Sequence, residues 1–352
     1  MIEFISTRIA ESHFDVLPLH GVRNYLSIFN RAFERKKERN LNIIAQYRIN
    51  MSLLSLTEGA QELVRAVQAS TPYAAGKLGT STFDALSWYA THRQNKADTQ
   101  KQAYPIHIFQ HMVVNAGLFP THPDTIDQWA EHMIQYVLPV MDIMVELNPS
   151  AKLPEHNFLE TYAKQSKRTV LRALEPYYEA DLSNRYTLAI PEGSKIAIVS
   201  PFWDSILHQV PKLDTVWNTI PIWTQSHIFI PIQTFYSPLV AGNVKHNQWS
   251  LHLPDWHAAC DEIVEKVKAV DAKYVFVGCG ALSLPIVAAL KRAGCIAIHT
   301  GGATQILFGI KGNHWDKDNH SVISKFYNSA WISPSAREIP EEASAIENAC
   351  YF

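Results

Sequence analysis

The chain has 352 residues, 47% of them hydrophobic, so it can bury a full core either as two lobes or as one large α/β domain with an extension. Its formal net charge of −2 gives no general attraction to nucleic acid or to membrane phosphates. No apolar run is long enough to span a bilayer, and the sequence does not begin like a signal peptide. These features together predict a cytoplasmic protein.

The four cysteines, Cys260, Cys279, Cys295 and Cys350, show no Cys-x-x-Cys spacing. Two of them fall in or beside predicted buried strands. We therefore interpret them as small core residues in a reducing compartment, not as disulfides or zinc ligands.

Residues 1–70 are predicted to form a helix-rich N-terminal extension. From about Leu17 to Ala69 the chain has few Pro or Gly residues, and apolar residues recur at helical spacing, as in Leu56, Ala60 and Leu63. The charged stretch 31–40 is typical of a solvated helix face. The extension could form a homo-oligomer, cover a site or bind a partner.

Residues 71–185 are predicted to be the helix-rich first part of the main domain. A short strand leads to Gly79, whose turn opens a helix that Thr80, Ser81 and Thr82 can cap. The N-terminus of such a helix favours an anion. Further helices are predicted over 127–144 and 159–174.

Residues 186–352 alternate strands and helices. Strands are predicted over 195–199 and 228–232, the loop 200–205 begins a helix, and a further helix is predicted over 256–270. This alternation predicts a Rossmann-like, mostly parallel sheet flanked by helices.

The strongest pattern is a βαβ unit that begins at Tyr274. The buried strand 274–277 is followed by Gly278 and Gly280, a helix over 284–292, and a strand that ends at His299 before Gly301 and Gly302. Loops at the carboxyl ends of parallel strands are where open α/β sheets hold phosphates or sugars. The pattern therefore predicts a ligand site there.

Several separated segments resemble a group of uncharacterised bacterial and viral proteins related to glycosyltransferases of the GT-D fold type. They are 196–209 (IAIVSPFWDSILHQ), 301–312 (GGATQILFGIKG) with Trp315, and the ending from 331 to 352. The Gly79 segment and 115–120 (NAGLFP) fit the same pattern. A match of several motifs in order is more specific than one Gly-rich loop.

The resemblance implies transfer of a sugar from a nucleotide-sugar donor to a glycan or another acceptor, as in polysaccharide biosynthesis. It also implies Mn²⁺ or Mg²⁺ on the diphosphate, held by an acidic motif in the first βα turn. Here Thr82 stands where the family has an acid, and Asp84 would be rotated by about 200° from that position on a helix. This departure puts metal-dependent catalysis in doubt and leaves the metal ligands unknown, but phosphate binding by the Gly79 turn is retained.

Two carboxylates are candidate catalytic residues. Asp204 could act as a base or bind a donor hydroxyl, or it could simply favour the dipole of the helix it begins. Asp84 is the acidic residue nearest to Thr82, where the family has its acidic motif. The candidate substrate-binding residues are Gly79, Thr80, Ser81, Ser200, Ser205, Gly278, Gly280, His299, Gly301, Gly302, Gln305 and Trp315.

The segment 314–320 places two His and two Asp residues at alternating positions. Its spacing matches no common metal-binding pattern, so we interpret it as a mobile loop on the acceptor side.

Two alternatives remain open. A relative that has lost the acidic motif could bind a sugar or nucleotide without catalysis, or serve a structural interaction. A methyltransferase is suggested by Gly278-Cys279-Gly280, which resembles the S-adenosylmethionine loop. The third glycine and the ribose-binding acid of that motif are missing.

Overall fold

A computed structural model describes residues 53–147, 152–241, 248–316 and 321–352. The helices predicted before residue 53 therefore lie outside the described residues, and so do residues 317–320 of the loop with alternating His and Asp. None of the helices in the described ranges is long and apolar enough to cross a membrane.

The centre of the fold is a seven-stranded sheet in the order β3-β2-β1-β7-β6-β4-β5, and all six neighbouring pairs are parallel. This confirms the predicted Rossmann-like α/β fold. The strands are β1 Tyr73–Lys77, β2 Ile143–Val145, β3 Lys167–Thr169, β4 Lys195–Ser200, β5 Ile228–Gln233, β6 Tyr274–Val277 and β7 Ile296–His299.

Helices flank the sheet, and two hydrophobic cores separate them from it. Successive residues of a strand point to opposite faces, so in β4 Ala197 belongs to one core and Ile198 to the other. The described α-helices are α1 Leu56–Ala69, α2 Thr80–His92, α3 Ile106–Gln110, α4 Pro123–His132, α5 Lys152–Tyr162, α6 Trp203–Gln209, α7 Leu213–Val216, α8 Pro238–Ala241, α9 Trp256–Ala269, α10 Ser283–Arg292, α11 Ala303–Leu307, α12 Asn313–Asp316 and α13 Ser321–Ser324.

The predicted ends of the two helices over 127–144 and 159–174 are wrong. The first becomes a π-helix at Met133–Val137 and a 3₁₀ turn at Leu138–Val140 before β2 begins. The second ends at Tyr162, and β3 follows. β2 has only three residues, and β3 is polar in sequence, so neither has the apolar run by which a buried strand is recognised.

Helix α1 packs in the same compact unit as the sheet, which spans 52–352. It begins with a capping box in which Ser55 and Glu58 bond each other's backbone. Leu63 and Val67 on its inner face are 1% exposed and share a core with strand residue Phe276. Residues 56–69 therefore belong to the packed domain, although the sequence assigns them to the extension.

Candidate functional site

One cleft of about 220 Å³ opens at the carboxyl edge of the sheet. Residues at or just after the ends of β1, β4, β5, β6 and β7 line it, which is where ligands bind in open parallel sheets. The predicted binding residues that line it are Gly79, Thr80, Ser81, Ser200, Gly278, Gly280, His299, Gly301, Gly302 and Gln305.

Lys77, the last residue of β1, supplies positive charge to the cleft. A Cβ built on Gly301 would lie 3.4 Å from the Lys77 Nζ, so the ammonium sits against the loop that follows β7. Burial lowers the pKa of Lys77, and the nearby Arg172 lowers it further, although Glu175 and Glu347 oppose this. The Nζ has no hydrogen-bond acceptor or ion-pair partner among the described residues. It is therefore available to an anionic ligand.

His299, at the end of β7, is a buried neutral imidazole. Its Nδ1 lies 3.0 Å from the carbonyl oxygen of Val277, and because a carbonyl can only accept, this nitrogen carries the proton. Burial, and then the charge of Lys77, lowers the pKa of His299 to about 4. The Nε2 atom is consequently an unprotonated acceptor at neutral pH.

The Gly79 turn is open towards the cleft. Gly79 precedes α2 without a side-chain cap, and a Cβ built on it would meet nothing closer than the Thr82 Oγ1 at 3.7 Å. That hydroxyl donates to the Gly79 carbonyl oxygen at 2.8 Å, so Thr82 closes the turn and supplies no carboxylate.

The glycines after β6 face other backbone. A Cβ on Gly280 would come within 3.0 Å of the Ala116 carbonyl oxygen, and one on Gly278 would come within 3.0 Å of the Gly301 carbonyl oxygen. Gly280 also has φ of +60°. Close contacts within the protein therefore explain why glycine is needed at both positions. Neither position borders open space that a ligand could fill.

The remaining cleft wall is largely apolar. The residues that build it come from 114–117, α4 and the loops after β5 and β6. Among them, burial raises the pKa of the Cys279 thiol to about 12, so that thiol is protonated and unreactive at neutral pH. The apolar lining residues include Val114, Ala116, Trp129, Met133, Phe235, Ala281 and Leu282.

Neither predicted catalytic aspartate lines this cleft. Asp84 lies in a separate depression with Ser87, Trp88 and His107, and burial raises the pKa of its carboxyl group. The N–H of Asp204 donates to Glu338 at 2.7 Å at the start of α6.

Two further predicted binding residues are also outside the cleft lining. Ser205 is 1% exposed and donates its hydroxyl to Glu338, so Glu338 takes the place at the N-terminus of α6 that a ligand would need. Trp315 is 4% exposed and packs under Gly302 beside Tyr351, as part of the wall behind the cleft surface.

The divalent ion that the resemblance implies finds no fitting ligand set in the described parts of the chain. No group of three or more His, Cys, Asp or Glu side chains is arranged to hold a metal there. Among the lining residues Glu347 is the only Asp or Glu, and Thr82 already bonds its own turn. A site with one carboxylate does not match the several oxygen ligands that Mg²⁺ or Mn²⁺ prefers.

Four residues that line the cleft have no role predicted from the sequence: Lys77, Thr234, Glu347 and Tyr351. Lys77 did have a signal, since it ends a strand two residues before a Gly turn. Glu347 and Tyr351 belong to the ending that carries the resemblance, but no pattern places them at the cleft, because the segment 343–352 reaches it only through tertiary packing.

Comparisons of the chain with protein-family models, curated proteins and solved structures find no match. The fold and cleft together define a parallel α/β protein of Rossmann-like architecture with a ligand-sized opening at the carboxyl edge of its sheet. Any finer assignment depends on the chemistry of the residues in that opening.

Proposed function

We propose that the cleft binds a nucleotide sugar and that the protein is a glycosyltransferase related to the GT-D type. The observation that carries this proposal is the Lys77 ammonium, which has no partner among the described residues and lies against the Gly301-Gly302 loop, in the cleft that the Gly79 turn also lines. A partly buried cation without a partner is costly, so the position of Lys77 at the carboxyl edge favours an anionic ligand.

In this proposal the diphosphate lies beside Lys77. The open space in front of Gly79 accommodates phosphate oxygens close to the backbone, at the start of a 13-residue helix whose dipole favours negative charge. The Nε2 of His299 accepts a hydrogen bond from a hydroxyl of the ligand. The nucleoside packs on the apolar wall.

Lys77 also has a role in the transfer step. When the bond to the sugar breaks, negative charge grows on the diphosphate leaving group, and a cation beside that group stabilises the charge. In the family this charge is handled by a divalent ion. Here the Lys77 ammonium neutralises this charge, because the described lining residues do not form a divalent-ion site.

The test is thermal stability of the purified protein against nucleotide sugars, nucleoside diphosphates and S-adenosylmethionine, each with and without Mn²⁺. A ligand at 100 times its Kd raises the free energy of unfolding by about 2.7 kcal/mol. We expect one diphosphate nucleotide to stabilise the native protein but not the Lys77→Met variant. The matched control is Lys212→Met, which removes an exposed lysine outside the cleft.

Equal stabilisation of Lys77→Met and the native protein would refute the role of Lys77. Stabilisation by S-adenosylmethionine alone would favour a methyltransferase. The structure argues against that function, because the backbone of Ala116 packs against the Gly280 turn.

A binding protein without catalysis is the second candidate. It is favoured by Thr82, whose hydroxyl closes the turn where the related enzymes carry an acid. The two candidates differ in turnover. Stabilisation by a nucleotide sugar without release of the nucleoside diphosphate, across a panel of acceptors, would favour the binding protein.

A further inference from the structure

Glu347 brings a carboxylate to the cleft from the segment 343–352. It is the only acidic residue among those that line the cleft. Glu341 and Glu342, a few residues earlier, are exposed and do not line it. The cleft therefore contains one candidate acid–base group, although it is neither of the aspartates that the sequence suggested.

The Glu347 carboxylate is oriented by its own segment. Its Oε2 accepts hydrogen bonds from the Tyr351 hydroxyl at 3.0 Å and from the Cys350 thiol at 3.5 Å. Its Oε1 has no hydrogen-bond partner among the described residues. One oxygen is thus held while the other remains available.

The backbone at this point is strained. Glu347, Asn348 and Ala349 have φ of +47°, +57° and +55°, a left-handed conformation that is unfavourable for residues with a Cβ. Consecutive outliers of this kind persist only where surrounding contacts impose them, and they concentrate at functional sites.

Three contacts fix the strained segment to α11 and α12, which follow the Gly301-Gly302 loop. The Gln305 Nε2 donates to the Tyr351 carbonyl oxygen at 3.2 Å, and the His314 N–H donates to the Cys350 carbonyl oxygen at 2.7 Å. The Asn313 Nδ2 donates to the Ala349 carbonyl oxygen at 3.4 Å. The position of Glu347 is therefore tied to the two helices that follow the Gly301 loop, against which Lys77 lies.

Glu347 and Lys77 influence each other without touching. The charge of Glu347 acts to raise the pKa of Lys77, yet the two side chains are farther apart than the 4.0 Å of an ion pair. A diphosphate beside Lys77 would be repelled by a second negative group. An uncharged polar part of the ligand, such as a hydroxyl, suits the Glu347 side instead.

We propose that Glu347 is a catalytic residue that binds the acceptor hydroxyl through Oε1 and takes its proton during transfer. This inference rests on the proposed function. As the proton moves to Oε1, the hydroxyl oxygen forms a bond to the anomeric carbon of the donor. The bond from that carbon to the diphosphate breaks, and its electron pair leaves with the diphosphate beside Lys77.

The first experiment measures binding of inorganic pyrophosphate by the native protein, Glu347→Gln and the control Glu342→Gln. Removing a negative charge that faces the anion should tighten binding about two- to threefold in Glu347→Gln, and more at low salt. Glu342→Gln should bind as the native protein does.

The second experiment measures release of nucleoside diphosphate from the nucleotide sugar that gives the largest thermal shift. Loss of a general base lowers the rate roughly 10²- to 10⁴-fold, so Glu347→Gln should fall in that range with its pyrophosphate binding intact. Tyr351→Phe removes one orienting donor and should give a smaller loss. It serves as the second variant if Glu347→Gln melts at a lower temperature.

The outcomes separate the two proposals. If the native protein does not bind pyrophosphate, the proposed function fails and the role of Glu347 fails with it. If it binds, but Glu347→Gln releases nucleoside diphosphate as fast as Glu342→Gln does, only the role of Glu347 is refuted, whatever its affinity for pyrophosphate.

Discussion

The Gly79 turn and the Gly278-Gly280 turn look alike in sequence, but the structure gives them different neighbours. Both follow a buried parallel strand, and both line the cleft. A Cβ added to Gly79 would have its nearest neighbour 3.7 Å away, while Gly280 is pressed against the backbone of Ala116. A glycine after a strand can therefore either pack against the protein's own backbone or border open space.

The largest effect should come from Gly280→Ala. The new Cβ would force a left-handed residue into contact with the Ala116 backbone, and we expect a loss of about 3 kcal/mol in the free energy of unfolding. Urea unfolding of the native and variant proteins measures it.

Gly193→Ala is the matched control, because Gly193 has φ of +73° and a Cβ added there would meet no described atom within 4 Å. We expect it to lose about 1 kcal/mol. Equal losses in the two variants would show that the Ala116 contact adds nothing.

His299 extends the comparison to the strand between the two turns. Its pKa is about 4 in the folded protein against the usual 6.5 of a histidine, so below pH 6.5 the unfolded chain binds more protons. The contribution of His299 to the free energy of unfolding is therefore fully present above pH 6.5. It decreases by about 3 kcal/mol as the pH falls to about 4.

His299→Gln should reduce this acid-dependent loss. The measurement is the difference in free energy of unfolding between pH 7 and about pH 4.5, compared between variant and native protein. Because only the difference between pH values is used, a uniform destabilisation of the variant does not affect the result. An unchanged pH dependence would contradict the buried neutral imidazole.

Lys77→Met should stabilise the protein while it removes anion binding. The Lys77 ammonium is desolvated without a partner among the described residues, and replacing it with an apolar side chain of similar length should raise the free energy of unfolding by about 1 kcal/mol. Thermal melting without ligand checks this. A clear loss of stability would mean that the ammonium has a structural role.

The smallest effect on stability should come from Gly79→Ala. Gly79 has φ of −70°, which alanine adopts easily, and its Cβ would meet open space, so the free energy of unfolding should change by less than about 0.5 kcal/mol. Pyrophosphate binding should nevertheless fall at least about tenfold if a ligand occupies that space. Unchanged affinity would place the ligand elsewhere in the cleft.

The sequence predicted the fold best where apolar β-rich runs lie between glycines. Strands β4 to β7 begin and end within a residue of their predicted limits, since each is an apolar run in the parallel sheet. β3 could not be recognised, because it contains the buried Arg168. Its guanidinium bonds the carbonyl oxygens of Ala163 and Ser166 and pairs with Glu160, and a pattern of apolar residues does not reveal such partners.

The candidate site was predictable to the extent that it is built from strand ends. Gly79, His299 and Gly301 follow from the rule that parallel strands present their carboxyl ends together. The absence of Asp204 from the cleft lining could not be foreseen from the sequence. It results from Glu338, which lies more than a hundred residues later in the chain and bonds the start of α6. The position of Glu347 in the cleft was likewise not predicted, because it depends on tertiary contacts with segments earlier in the chain.

The place of β7 in the sheet has a consequence for how the protein is made. β7 alone pairs with both β1 and β6, so it joins the β3-β2-β1 half to the β6-β4-β5 half. During synthesis on the ribosome, more than 200 residues are added after β1 before its neighbour β7 emerges. Until then each half carries an unpaired strand edge, which can pair with another chain and lead to aggregation.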